Sequence, residues 1–248
     1  AIGIDLGTTY SSFSFLNEHG EPEMLTNAEG ERLTPSAVFF DDDSIIVGEI
    51  AKENASAYPQ KVVMFVKREM GNPHWYYDYH DEKLTPVEIS SLILKKLKKD
   101  AETAFNQEIP YAVITVPAYF DDSRRRATIA AGEMAKFKVL KLINEPTAAA
   151  IAFGMTRSQK DETVLIYDLG GGTFDVTLMR VENKGKDIHI IASEGDHQLG
   201  GKDFDDAIIR ICVEIFEQEH GFDPTEDLLD AQQLRKDSEQ AKKELSIR

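Results

Sequence analysis

The chain opens on an apolar run, Ile2, Ile4 and Leu6, which alternates with small and acidic residues and reads as a buried strand. Thr85-Pro86-Val87-Glu88 is a capping box with proline at the first helical position, and Ile89, Leu92, Ile93 and Leu97 follow at helical spacing. A helix over about 85–106 is predicted. The next segments alternate: a strand over 111–116, a helix over 123–136, a strand over 139–143, and a helix over 146–153 stopped by Gly154. Such alternation predicts parallel pairing in an α/β fold. Residues 163–168, 173–181 and 188–194 then read as a meander, the last two strands joined through Asn183-Lys184-Gly185-Lys186. Helices near 202–220 and 225–246 finish the pattern. Residues 71–83, aromatic and acidic, form the least structured stretch.

One echo cuts across these elements. Residues 2–15 read IGIDLGTTYSSFSF and residues 164–178 read VLIYDLGGGTFDVTL. Each is an apolar strand that runs into Asp-Leu-Gly, turns through Gly and Thr, and leaves as a second alternating strand. Repetition after about 160 residues suggests two related lobes that face each other. A turn rich in Gly and Thr lets backbone N–H groups approach a phosphate, because no side chain intervenes. Thr8, Thr9 and Thr173 add hydroxyl donors, while Asp5, Asp168 and Asp175 stand beside the turns. Carboxylates next to phosphates repel them unless a cation lies between, so Mg²⁺ held largely through water is the natural complement. A single such turn is equally well an ordinary hairpin. Two matched copies favour phosphate binding.

Composition narrows the classes. The 248 residues carry 28 Lys and Arg against 44 Asp and Glu, a net charge of −16, which disfavours nucleic acid and anionic membranes as partners. Apolar residues make up 42%, enough for a sizeable core, with no run of the ~18 apolar residues that mark a membrane span. Cys212 is the only cysteine, so no internal disulfide is available; with no leader-like segment at the start, a reducing cytoplasm is the expected location. Both ends read as trimmed. There is no G-x-x-x-x-G-K-[ST] phosphate loop and no G-x-G-x-x-G. His74 and His80 with Asp78 and Asp81 read as a solvated loop, Lys95, Lys96, Lys98 and Lys99 as a solvated helix face, and Cys212 among Ile208, Ile211 and Ile215 as core.

DLGTTYS (residues 5–11), VPAYF (116–120), INEPTAAAIAFG (143–154) and DLGGGTFDV (168–176) together resemble the nucleotide-binding domain of the DnaK-type heat-shock chaperones, a branch of the actin and sugar-kinase ATPase superfamily. NAEGERLTPS (27–36), MFVKREMG (64–71) and LGGKDFD (199–205) extend the likeness along the whole chain. The resemblance implies a two-lobed, actin-like α/β fold built on ribonuclease H-like repeats. Its first lobe would span 1–158, with a small subdomain inserted at about 37–84, and 159–248 would be the N-terminal portion of an incomplete second lobe. It implies that Gly7, Thr8, Thr9 and Tyr10 form one phosphate loop and Gly170, Gly171, Gly172 and Thr173 the other, binding ATP or ADP. Asp5, Glu145, Asp168 and Asp175 would surround Mg²⁺ and its waters, with potassium ions as candidates beside it. Lys67 would be the catalytic lysine that orients the attacking water; on its own, next to Arg68, it reads as surface charge.

By the same resemblance, Gly200 and Gly201 approach the ribose and phosphates, and Glu239, Lys242, Lys243 and Ser246, at helical offsets of 0, 3, 4 and 7, hold adenosine. Taken alone, Glu239 and Lys243 are an ordinary ion pair on a helix face. Pro117 and Arg125 match an interlobe relay that reports nucleotide state to a peptide-binding domain. Slow ATP hydrolysis, a J-domain co-chaperone, a nucleotide-exchange factor, and client peptides bound only through a further C-terminal domain complete what the likeness implies. Three departures stand out: Lys243 replaces the family's usual arginine, Ile129 stands where many members carry a second basic residue, and residues 71–83 are shorter than in typical DnaK. A small-molecule kinase of the same superfamily, or a nucleotide-dependent interaction protein, are the competing functions.

Overall fold

The computed structural model describes residues 1–157, 161–183 and 187–247. Chain order begins with β1 (Ile2–Asp5), β2 (Tyr10–Leu16), β3 (Pro22–Met24), β4 (Thr34–Pro35), β5 (Ala37–Phe40), β6 (Ile45–Val47), α1 (Glu49–Asn54) and β7 (Val62–Met64). Next come β8 (Tyr77–Tyr79), β9 (Glu82–Leu84), α2 (Pro86–Phe105), β10 (Tyr111–Val116), α3 (Asp122–Met134), β11 (Lys138–Asn144) and α4 (Glu145–Arg157). A second group follows: β12 (Glu162–Leu169), β13 (Phe174–Glu182), β14 (Asp187–Asp196), α5 (Gly201–His220) and α6 (Leu228–Leu245).

The largest sheet has the order β11-β10-β1-β2-β3, with β4 paired to β2 off this path. β1, β10 and β11 run parallel, as the strand-helix alternation predicts, and β2 turns back antiparallel to β1. Helix α2 forms where its signals place it: Thr85 Oγ1 accepts from Glu88 N–H, the Glu88 carboxylate accepts from Thr85 N–H, and Asn106 closes the far end in the left-handed conformation. Its stripe Ile89, Ile93 and Leu97 is buried with Ile2, Ile4, Leu6, Phe13, Ile114 and Val116 in one core. Helix α3 lies close on β10 and β11 because residue 132 is glycine; a Cβ there would stand 3.1 Å from Ile114 Cδ1 and closer still to Val139. The second sheet, β12-β13-β14, is wholly antiparallel. A third, β6-β5-β7, packs with α1 beside the first.

Several expectations change. Residues 71–83 carry a short hairpin within an otherwise irregular, solvated stretch: β8 and β9 pair, and Tyr77 and Tyr79 pack on Phe40 while their hydroxyls donate to the carbonyls of Gln60 and Asp41. Aromatic anchoring, invisible to periodicity, organises this stretch. Helix α4 runs through Gly154 to Arg157, since one glycine weakens a helix without ending it. Lys96 and Lys98 are half-buried rather than solvated, held by Glu29 and Asp100 and by Glu102. Cys212 is exposed, as are Ile211 and Ile215, because no described element covers that face of α5. Of the 183–186 connection, Asn183 is described and residues 184–186 lie outside the described residues.

Candidate functional site

The two echoing segments are hairpins of equal length: Asp5 pairs with Ser12 across β1 and β2, and Asp168 pairs with Asp175 across β12 and β13. Their turns meet face to face. A Cβ on Gly171 would fall 2.7 Å from Thr9 Cβ, and one on Gly172 would fall 2.7 Å from Thr8 Oγ1, so glycine is what permits the approach.

Each turn is braced from behind. Ser36 donates its hydroxyl to Gly7 O (2.8 Å) and its N–H to Thr9 O (2.9 Å), while Ser11 Oγ accepts from Gly7 N–H (3.2 Å) and shares a hydrogen with Ser36 Oγ (2.9 Å). In the second turn Gly170 N–H donates to Thr173 O (2.9 Å), and the start of α5 donates from Gly201 N–H to Gly170 O and from Lys202 N–H to Gly171 O, both at 2.9 Å. Gly200 allows this docking, since a Cβ there would lie 2.7 Å from Gly171 C. Sequence reasoning does not single out Ser11 and Ser36; the hydroxyl-rich run after Gly7 was the available signal.

Lys67 and Arg68 leave one short 3₁₀ turn, Val66–Glu69, in different directions. Phe65 enters that turn at φ 62°, a left-handed conformation disfavoured for a side chain of this size. Lys67 is buried with its Nζ 2.6 Å from Glu145 Oε1. Arg68 donates from Nε to Gly172 O (2.9 Å) and grips Asp203 with both terminal nitrogens, one at 3.1 Å; Asp203 Oδ2 in turn accepts from Gly200 N–H at 2.7 Å. A bidentate guanidinium thus ties the second turn to the first half of the chain. Neither side chain is surface charge, and the role of Arg68 has no periodic signature.

The carboxylates gather behind the turns. Asp5 accepts from Thr115 Oγ1 at 2.8 Å. Asp175 is 2% exposed, and neither of its oxygens has a hydrogen-bond partner among the described residues; Thr9 Oγ1 is likewise buried and unpartnered. Burial, reinforced by the Glu145 and Asp168 carboxylates, pushes Asp175 up to about 6. Burial raises Glu145 despite Lys67, and burial with Asp5 raises Asp168. Among the described residues no three His, Cys, Asp or Glu side chains converge closely enough to hold a metal ion directly.

A cleft of about 690 Å³ opens between the halves, lined by Thr8, Thr9 and Tyr10 on one side and Gly170, Gly171 and Gly201 on the other, with α6 along its edge. Glu239 is held by Lys243 (2.7 Å), as an isolated helix pair would be, but also by Lys52 of α1 (2.9 Å), which reaches Tyr10 Oη as well (2.8 Å). Lys242 donates to Gly201 O (2.9 Å) and pairs with Asp205 (2.7 Å). Ser246, with Lys242 and Lys243, lines an adjoining recess; its hydroxyl donates to Lys242 O of its own helix. Pro117 is buried at the end of β10. Arg125 donates to Phe120 O (2.8 Å), Ala118 O (3.2 Å) and Asn144 Oδ1 (2.8 Å), binding the turn after Pro117 to the residue that precedes Glu145.

Comparison with known proteins gives a single picture. The family model described as Hsp70 protein matches residues 1–78 and 72–248. The chain is 47% identical over 247 residues to the chaperone protein DnaK of Halobacterium salinarum, covering 100% of the chain and 39% of that protein. It is 47% identical over 248 residues to the DnaK of Thermotoga neapolitana, covering 41% of it. The chain therefore spans about two-fifths of the length of these curated relatives.

Proposed function

The chain belongs to the Hsp70 protein family, and from that membership we propose that it binds and slowly hydrolyses ATP as the nucleotide-binding part of a DnaK-type chaperone. One observation carries the reading: two glycine- and threonine-rich turns abut across a cleft, with a buried lysine and an unpartnered, buried aspartate behind them. In this reading residues 1–158 form one lobe, with a subdomain inserted at about 37–84, and residues 159–248 belong to the other.

The Gly7–Tyr10 and Gly170–Thr173 turns take the phosphates through backbone N–H groups other than those of Gly7 and Gly170, which bond to Ser11 Oγ and Thr173 O, with the hydroxyls of Thr8, Thr9 and Thr173 as further donors. Lys67, steered by Glu145, faces the γ-phosphate and orients the attacking water. The water oxygen bonds to γ-phosphorus, the bond to the β-phosphate oxygen breaks, and ADP and inorganic phosphate result. Such a transfer depends on positioning and charge neutralisation more than on a strong base. The like-charged pair Asp168 and Asp175, with Asp5 nearby, suits a cation whose waters the carboxylates accept, and Thr9 Oγ1 and both Asp175 oxygens have free capacity for that shell. Mg²⁺ would supply neutralisation of phosphate charge there; K⁺ fits the same oxygen-donor chemistry.

Adenosine lies, on this reading, along Glu239, Lys242, Lys243 and Ser246, with Gly200 and Gly201 nearer the ribose. Lys243 offers an ammonium where a planar guanidinium would stack better on a base. The Arg125 bonds around Pro117 and to Asn144 give a displacement of Glu145 a route to the outer surface, which supports the relay role. A J-domain co-chaperone, a nucleotide-exchange factor and client peptides held by another part of the protein, all in the cytoplasm, are the partners and setting this function calls for. Among the described residues no helix is long and apolar enough to cross a membrane.

Calorimetric titration with MgADP and MgATP, followed by assay of released phosphate, tests the proposal. Saturable binding lost on chelation, with free phosphate as product, is expected. A phosphorylated small molecule in place of free phosphate would instead mark a kinase. Absence of binding would overturn the reading for this chain.

A further inference from the structure

We propose that Ser11 and Ser36 are positioning residues for the first phosphate turn: their hydroxyls close a ring of hydrogen bonds that begins and ends on Gly7 and sets the turn in its phosphate-ready shape. The inference rests on the nucleotide-binding reading and deepens it.

The ends of the ring assign its hydrogens. Gly7 O can only accept, so the Ser36 hydroxyl donates to it at 2.8 Å. With that hydrogen committed, Ser36 Oγ is the acceptor in its 2.9 Å contact with Ser11 Oγ, and Ser11 is the donor. Ser11 Oγ in turn accepts from Gly7 N–H at 3.2 Å. One circuit results, from Gly7 N–H to Ser11, from Ser11 to Ser36, and from Ser36 to Gly7 O. All its donors point the same way round, so each bond polarises the next. Both serines are buried, 1% and 3% exposed, and a broken member leaves polar groups that water does not readily reach.

Two features tie the ring to ligand binding. It occupies the N–H and the carbonyl of Gly7, and Ser36 N–H holds Thr9 O at 2.9 Å, whereas the N–H groups of Thr8 and Thr9 have no acceptor among the described residues. The brace therefore grips the turn at its ends and leaves its central donors for a phosphate, which then binds without first having to order the loop. Ser36 is also delivered by a dedicated loop. The buried Asn27 side chain accepts from Glu29 and Glu31 N–H and donates to Leu33 O (3.3 Å) and Thr34 Oγ1 (3.1 Å), which brings β4 alongside Tyr10 and Ser11 of β2. The segment 27–36 is in this way a mould for the turn. The second hairpin is held differently, by Thr173 O of its own turn and by the start of α5, so it serves as an internal control.

The test compares Ser36→Ala with the parent chain by calorimetric titration of MgADP and by hydrogen–deuterium exchange of peptides from the two turns. ADP affinity should fall about five- to ten-fold, the scale of one or two buried hydrogen bonds left unmade. At saturating ADP residues 168–176 should stay as protected as in the parent, while residues 5–11 exchange several-fold faster, and the same contrast should appear without nucleotide. Ser11→Cys, which nearly keeps the volume and weakens both hydrogen bonds of the hydroxyl, should reproduce this pattern without opening a cavity. The two substitutions together should cost less than the product of their separate losses, since either one opens the ring. ADP affinity within two-fold of the parent in both variants, equal loosening of the two turns, or fully multiplied losses would overturn this inference while leaving nucleotide binding intact. Failure of the parent to bind ADP would overturn the functional reading and this inference together.

Discussion

The two hairpins that form the cleft have nearly the same sequence pattern and opposite surroundings. Ile2, Ile4 and Leu6 of the first are 3%, 1% and 3% exposed, whereas their counterparts Leu165, Tyr167 and Leu169 are 61%, 66% and 43% exposed. The difference is the neighbour. β1 has β10 along its other edge and α2 in the core beneath it, while among the described residues β12 is paired on one edge only. The turns differ too. Ser12 stands opposite Asp5, but a second carboxylate, Asp175, stands opposite Asp168. The first hairpin is thus the packed, mechanically fixed half, and the second concentrates the negative charge that a cation could use.

If that division holds, the largest effect belongs to the first half. Lys67→Ala should lower single-turnover ATP hydrolysis by about a hundred-fold or more, the scale of removing one preorganised charge from a transition state. MgATP binding should change little. Normal turnover in this variant would place the catalytic cation elsewhere and undo the assignment. Next in size is Ile4→Ala, which should cost about 2–4 kcal/mol in urea unfolding, because the residue lies in a core that cannot collapse around the gap. Trp75 packs against the same core, so its fluorescence reports the transition.

How far the sequence went in describing the two halves follows the same divide. Spacing and capping located α2 to within a residue at each end, because Thr85, Pro86 and Glu88 act locally and the apolar stripe of α2 is buried as its pattern requires. The echo of Asp-Leu-Gly placed both turns, since backbone demands for glycine are local as well. What braces the turns and joins the halves could not be read in this way. Arg68 gripping Asp203, Ser36 bracing Gly7, and Lys52 meeting Glu239 each join residues between 29 and 187 positions apart, and single charged or hydroxyl residues carry no period. Cys212 was misplaced for a related reason: a helical apolar face predicts burial only when something covers it.

The contrast between Ser12 and Asp175 gives a pH-dependent prediction. Asp175 is raised to about 6 by burial and by neighbouring carboxylates, so the folded chain binds this proton more tightly than the unfolded chain does. The resulting contribution is fully present below the ordinary aspartate range and is lost as pH rises through about 6. In metal-free solution Asp175→Asn should therefore be more stable than the parent by about 1–2 kcal/mol at pH 7.5, the gap narrowing by pH 5. Urea midpoints at the two values decide it. A gap independent of pH would mean that the amide stabilises by packing rather than by relief of charge. Ser12→Asp, which copies the carboxylate pair into the first hairpin, should do the reverse and destabilise at neutral pH.

The smallest effect is expected at Tyr167, and it bears most directly on the comparison. Tyr167 occupies the position of Ile4, yet two-thirds of it is in contact with water and its main packing is one ring contact with Phe174, so Tyr167→Ser should shift unfolding by no more than about 1 kcal/mol. What should change is surface behaviour. Leu165, Tyr167 and Leu169 project from the same face of one strand and form an apolar row, and removing its central ring should reduce binding of a hydrophobic dye with little change in the urea midpoint. A loss as large as that of Ile4→Ala would show that this row is covered in solution. The two hairpins would then differ in what covers them and not in whether they are covered.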